Sequence, residues 1–112
     1  MSNAPILNAD HIAAELEKLG NTWADHNAAA SVLEETKSTL QAKIAKEELA
    51  KGAPISKAEI LAKADPVFEE HIKAMVEARR LATRAKVRFD TFKIKAELLR
   101  SNAATDRAMM QL

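Results

Sequence analysis

Cysteine is absent from the 112 residues, which excludes a disulfide scaffold, thiol catalysis and Cys-based zinc sites. A cysteine-free composition fits a reducing compartment, so the expected location is cytoplasmic. Tyrosine is also missing, aromatics make up only 4%, and there are 2 Gly and 3 Pro. That is too few turn-formers for a fold built from many short strands. No run of 18 or more apolar residues occurs, so no membrane-spanning helix is expected. No basic stretch followed by an apolar one opens the sequence, so no secretory leader is expected. Di-iron bundles use Glu-x-x-His pairs, but Asn8, Trp23 and Phe68 stand three residues before the histidines. Gly-rich phosphate loops, nucleophile elbows and HExxH motifs are lacking. The expectation is a non-enzyme with no metal, cofactor or small-molecule substrate.

What is present is apolar and small. The chain is 47% hydrophobic, much of it alanine, which suits closely packed helices. One domain spanning residues 1–112 is expected. The net charge of +1 hides a split. Up to His71 there are 7 Lys against 12 Asp and Glu, a balance of −5; from Ile72 onward 10 Lys and Arg against 4 acids give +6. Such asymmetry points to two halves that attract each other or to a basic face for an acidic partner.

Helix signals divide the chain in three. Asn8 is a good N-cap, with Leu7 and Ile12 placed as a hydrophobic staple around it. Ile12, Leu16, Leu19, Trp23, His26, Ala30, Leu33, Lys37, Leu40 and Ile44 then follow in steps of four and three. That spacing makes a coiled-coil seam, interrupted by the polar His26 and Lys37. Gly52 offers a left-handed cap and Pro54 blocks continuation, so the first helix is expected over residues 9–51. Ser56 to Glu59 reads as a capping box opening a short helix over 57–64. Asp65-Pro66 restarts the chain as N-cap and first helical residue of a helix over 66–110. Glu47–Lys51, Glu59–Lys63 and Glu69–Lys73 stand four residues apart, the spacing of helical ion pairs. The last helix carries a main stripe from Phe68 through Ile72, Ala82, Phe89 and Leu99 to Met110. Two long helices of similar length joined by a modest connection predict an all-α antiparallel helical hairpin.

The last helix also bears a second stripe: Val76, Thr83, Val87, Ile94, Leu98, Thr105 and Leu112. A two-helix hairpin covers only one stripe, so a second copy is expected there, giving a dimeric four-helix bundle or coiled coil. Trp23, Val76, Val87, Ile94 and Leu98 are the expected self-association residues. Arg79, Lys86, Lys93, Arg100 and Arg107 recur every seven residues, and Arg80, Arg84, Arg88 and Lys95 thicken the line. These nine are the candidates for binding another protein or nucleic acid. The competing expectation is that acids of the first helix, such as Glu34 and Glu35, neutralise them internally. No aromatic interleaves the line outward, which argues against base stacking.

Glu77-Ala78-Arg79-Arg80, Arg84-Ala85-Lys86-Val87, Leu99-Arg100-Ser101 and Ala104-Thr105-Asp106-Arg107-Ala108-Met109-Met110 resemble the ends of small all-helical accessory proteins encoded by temperate bacteriophages and prophages. The resemblance implies a phage-encoded protein acting on host or phage machinery, often near recombination genes. It covers only the C-terminal stretch. The small secretion hairpins with a Trp-x-Gly turn do not match, because Ala24 and Asp25 follow Trp23.

Overall fold

The structure, a computed structural model, describes residues 8–111. It is all-helical: α1 spans Ala9–Ala50, α2 Ile55–Ala64 and α3 Pro66–Met110. The expected staple residue Leu7 and the last residue of the second stripe, Leu112, lie outside the described residues.

The ends form where local chemistry demands. Asn8 Oδ1 accepts from the His11 amide at 2.9 Å, satisfying one of the unpaired donors of the first turn. At the other end of α1, Gly52 takes φ 99°, a conformation that costs glycine nothing. Its amide donates to Leu49 O and that of Ala53 to Glu48 O, both at 3.0 Å, so the freed carbonyls of the last turn are used. Asp65 Oδ1 accepts from the Val67 amide at 2.8 Å to cap α3, with Pro66 in the first turn. α2 departs from expectation. It starts at Ile55, not 57, and Pro54 is its N-cap with no side-chain capping bond. The Pro54 carbonyl accepts from the Lys57 and Ala58 amides at 2.9 and 3.0 Å, so the helix nucleates ahead of Ser56 and the capping box does not form.

α3 runs back along α1. Phe68 clusters with Ile44, Glu34 pairs with Arg79, and Trp23 stacks on Phe89. Each step up one helix is a step down the other, so contacting residue numbers keep a nearly constant sum. α2 folds over the end where the chain reverses and packs mainly on α1. There the core is densest: Ile44, Ala62 and Phe68, flanked by Leu40, Ala45 and Ile72. Midway, Ala30, Ala82 and Ala85 are buried. Alanines at the contact let helix axes approach to the short end of the roughly 8–10 Å range.

Three expectations are corrected here. Lys37 is exposed and Ala30, about two turns earlier, is fully buried, so the seam passes beside the lysine instead of through it. Leu99, Ala103 and Met110 are exposed although they continue the main stripe of α3. The register sets Ala103 about level with Ala9, so Met110 lies past the start of α1 with no described neighbour, whereas Leu99 and Ala103 line an open groove beside Ile12 and Leu16 and are only loosely covered. The ion pairs within helices form at spacing three, Glu48–Lys51 at 3.7 Å and Glu70–Lys73 at 3.4 Å, not at the expected spacing of four.

The resulting rod measures 84 × 28 × 17 Å. Its radius of gyration, 24.2 Å, is well above the roughly 13 Å of a compact domain of this length. Accessible surface is 8759 Å², against about 6,100 Å² for a compact monomer of equal mass.

Candidate interaction surface

Taking the α1-facing line of Ala82, Ala85, Phe89 and Ala96 as reference, Val87, Ile94 and Leu98 stand about 160–200° round α3 at ~100° per residue. They therefore occupy the face diametrically opposite α1. Val76, Val87, Ile94 and Leu98 are each 59% exposed, and Met109 extends the line at 66%. No described element covers this strip. The five expected self-association residues divide: these four share the outer face of α3, whereas Trp23 points the other way. Its ring is half-buried on Phe89, with centroids 6.3 Å apart and planes at 11°. Gly20 makes room for the same Phe89 ring. A Cβ there would meet the ring at 3.2 Å. Nothing in the spacing identified Gly20, though a lone glycine inside an unbroken helix was a signal of close approach.

The basic residues also divide. Arg79 forms a forked pair with Glu34, Nε–Oε2 at 2.9 Å and Nη2–Oε1 at 2.6 Å, and its Nη1 donates to Asn27 Oδ1 at 2.9 Å. It clamps the two long helices together. His71 does the same nearby: Nε2 carries its proton and donates to the Leu33 carbonyl at 2.7 Å. Asn27 and His71 had no signal in the sequence, because a polar residue at a helix boundary looks the same whether or not it meets a partner. Lys86 sits over the Trp23 ring at 5.9 Å and Lys93 over Phe89 at 4.9 Å, roofing the aromatic pair with their stems. Arg80 pairs with Glu77 on its own helix at 2.7 Å.

Arg84, Arg88, Lys95, Arg100 and Arg107 are exposed and form no ion pair among the described residues. The expected internal neutralisation is thus realised across the helices at Arg79 alone. Arg84 and Arg88 border a shallow groove of about 440 Å³ whose other wall carries Lys18, Thr22 and His26. A more apolar groove of about 550 Å³ opens where α1 begins, between Ile12 and Leu16 on one side and Ala96, Leu99 and Arg100 on the other.

The forked bond from Arg79 holds the Glu34 carboxyl below its ordinary value of 4.5. A carboxyl depressed in the folded state stabilises the fold above its unfolded value and loses that contribution as pH falls through the lowered one. The Arg79→Ala variant is therefore expected to melt below the wild type at pH 6. The gap should narrow as pH is taken from 4.5 to 3, in melting curves followed by circular dichroism. The gap is expected to be modest, because the pair is nearly 40% exposed. A gap that stays constant to pH 3 would mean the arginine acts through Asn27 and packing alone.

No cluster of three or more His, Cys, Asp or Glu side chains able to hold a metal ion occurs among the described residues. No described helix is long and apolar enough to cross a membrane. Comparison of the chain with protein-family models, with curated proteins and with solved structures finds no match.

Proposed function

We propose that this chain is a non-enzymatic helical interaction protein: an antiparallel hairpin of α1 and α3 that self-associates through the outer face of α3 and recruits or blocks another macromolecule. The observation that carries this is the strip of Val76, Val87, Ile94 and Leu98, set on a face that no described part of the chain covers. The interior explains the need for it. Of the seven buried residues among those described, five are alanines and the two large ones are Ile44 and Phe68. A single chain thus withdraws little apolar area from water, and a second copy supplies what its own core lacks. Because the strip lies opposite α1, association through it sets the two α3 helices in the middle and the two α1 helices outside. The assembly is then a four-helix arrangement with a coiled-coil centre. Aspartates at Val87 and Ile94, with mass in solution as the readout, test the reading. The lineage fitting this reading is a phage-encoded accessory protein working in the cytoplasm.

A second reading is favoured by one observation: six of the nine candidate basic residues, Arg84, Lys86, Arg88, Lys95, Arg100 and Arg107, form no ion pair among the described residues. Through them the rod would lie along a nucleic-acid backbone and serve recombination or replication. Binding to single- and double-stranded DNA at 50 and 200 mM salt tests it. With about four phosphates neutralised, affinity is expected to fall roughly 100-fold over that range. Absence of binding at 50 mM salt removes the second reading and leaves the first intact.

A further inference from the structure

The outer face of α3 carries more than an apolar strip; its flanks are charged in a pattern that sets direction. Val87, Thr91, Ile94, Leu98, Ser101 and Thr105 follow in steps of four and three, so they take alternate d and a positions of a heptad. Arg88 and Lys95 then fall on one flank, the e positions. Asp90 and Glu97 fall on the other, the g positions. Arg88, Lys95 and Glu97 are exposed and Asp90 is half-buried, its only ion pair a loose 3.7 Å contact with Lys93 on the same helix.

In a parallel pair of helices a g residue meets the e residue five positions further along the other chain. In an antiparallel pair like flanks meet: g with g and e with e. Antiparallel pairing would set Arg88 and Lys95 against each other and Asp90 against Glu97. Parallel pairing sets Asp90 against Lys95 of the second copy, twice by symmetry. We infer that two copies of this chain associate with their α3 helices parallel and in register, from Val87 towards the C-terminal end. The inference rests on the self-association proposed above and adds its direction. Ahead of Val87 the same seam holds Arg80 and Arg84, which would face their own copies, so close pairing stops there and Val76 lies outside the parallel seam. Leucine at a with β-branched residues at d favours more than two strands in free coiled coils. Here α1 occupies the opposite face and charges border the strip on both sides. That leaves one narrow seam, enough for a single neighbour.

The absence of cysteine makes the test direct. Val87→Cys and Leu98→Cys are prepared separately in the full chain and oxidised mildly. In a parallel pair each residue faces itself, so each variant cross-links with itself to a covalent dimer. In an antiparallel pair each d position faces an a position of the other copy, Val87 facing Leu98, so neither variant cross-links with itself and only a mixture of the two does. Sedimentation of the unoxidised proteins separates the two ideas. Dimers that cross-link only as the mixture overturn the parallel arrangement and keep self-association. Monomers at high concentration overturn both. A charge reversal gives an independent reading. Asp90→Lys is expected to weaken the dimer roughly tenfold through two repulsive pairs, and adding Lys95→Glu to restore it. Equal weakening in the double variant contradicts the pairing.

Discussion

Replacing Phe68 with alanine is expected to remove about 3–5 kcal/mol of stability, the usual range for a buried phenylalanine. Phe68 is 6% exposed and is one of two large buried residues among those described. It joins the start of α3 to Ile44 of α1 and Ala62 of α2, where all three helices meet. Because the ring bridges three elements, none of them can close the void alone, and the cost belongs at the upper part of the range. Domains of this size are held by only about 5–15 kcal/mol, so the variant should be partly unfolded near 37 °C. Urea or thermal denaturation followed at 222 nm reads the loss directly. Ile60→Ala is the matched control: Ile60 is 67% exposed, and its truncation should stay within about 0.5 kcal/mol. If Phe68→Ala and the control behave alike, the junction is not the core of the fold.

The Val87→Asp/Ile94→Asp variant is expected to halve the mass in solution while keeping its helicity. Both residues stand on the outer face of α3 with 59% of their surface exposed, so neither aspartate disturbs the contact with α1. In the monomer the cost is limited to helix propensity, about 0.7 kcal/mol or less per position. In a dimer four carboxylates would enter one apolar seam without partners, each losing several kcal/mol of hydration. Even 4 kcal/mol in all weakens association about 1,000-fold, enough to give a monomer at micromolar concentration. Sedimentation with parallel circular dichroism separates this result from unfolding. An unchanged mass would place self-association elsewhere, with the apolar groove bordered by Ile12, Leu16 and Leu99 the next surface to test. A wild type that is already monomeric at high concentration would end the assembly reading altogether.

Part of this protein was legible before any fold was known, and the legible part is local. Asn8, Gly52 and Asp65-Pro66 mark helix ends because they satisfy backbone groups a few residues away. The structure shows those bonds at the expected places. The 3.6-residue period of Ile12 to Ile44 and of Phe68 to Ala96 selects the inward faces, since burial of one side of a helix is written into its own spacing. The short helix was misjudged by two residues, because whether the Pro54 carbonyl or the Ser56 hydroxyl starts it depends on how the turn packs on α1.

What only the tertiary structure decided is who meets whom. The sequence by itself determined three helices, two apolar stripes and a basic C-terminal half. It left open how far each stripe would be covered and which charges would be used. The register of α3 on α1 settled both. It brought Arg79 to Glu34 and Asn27, and His71 to the carbonyl of Leu33. It turned Trp23 inward onto Phe89, carried the end of α3 beyond Ala9, and left Val87, Ile94 and Leu98 facing away from the chain. The reason is physical. Capping and periodicity act over one or two turns, whereas a register is a choice among many nearly equal alignments of two long helices. Here that choice is fixed by how small alanines and one stacked aromatic pair let the two surfaces approach.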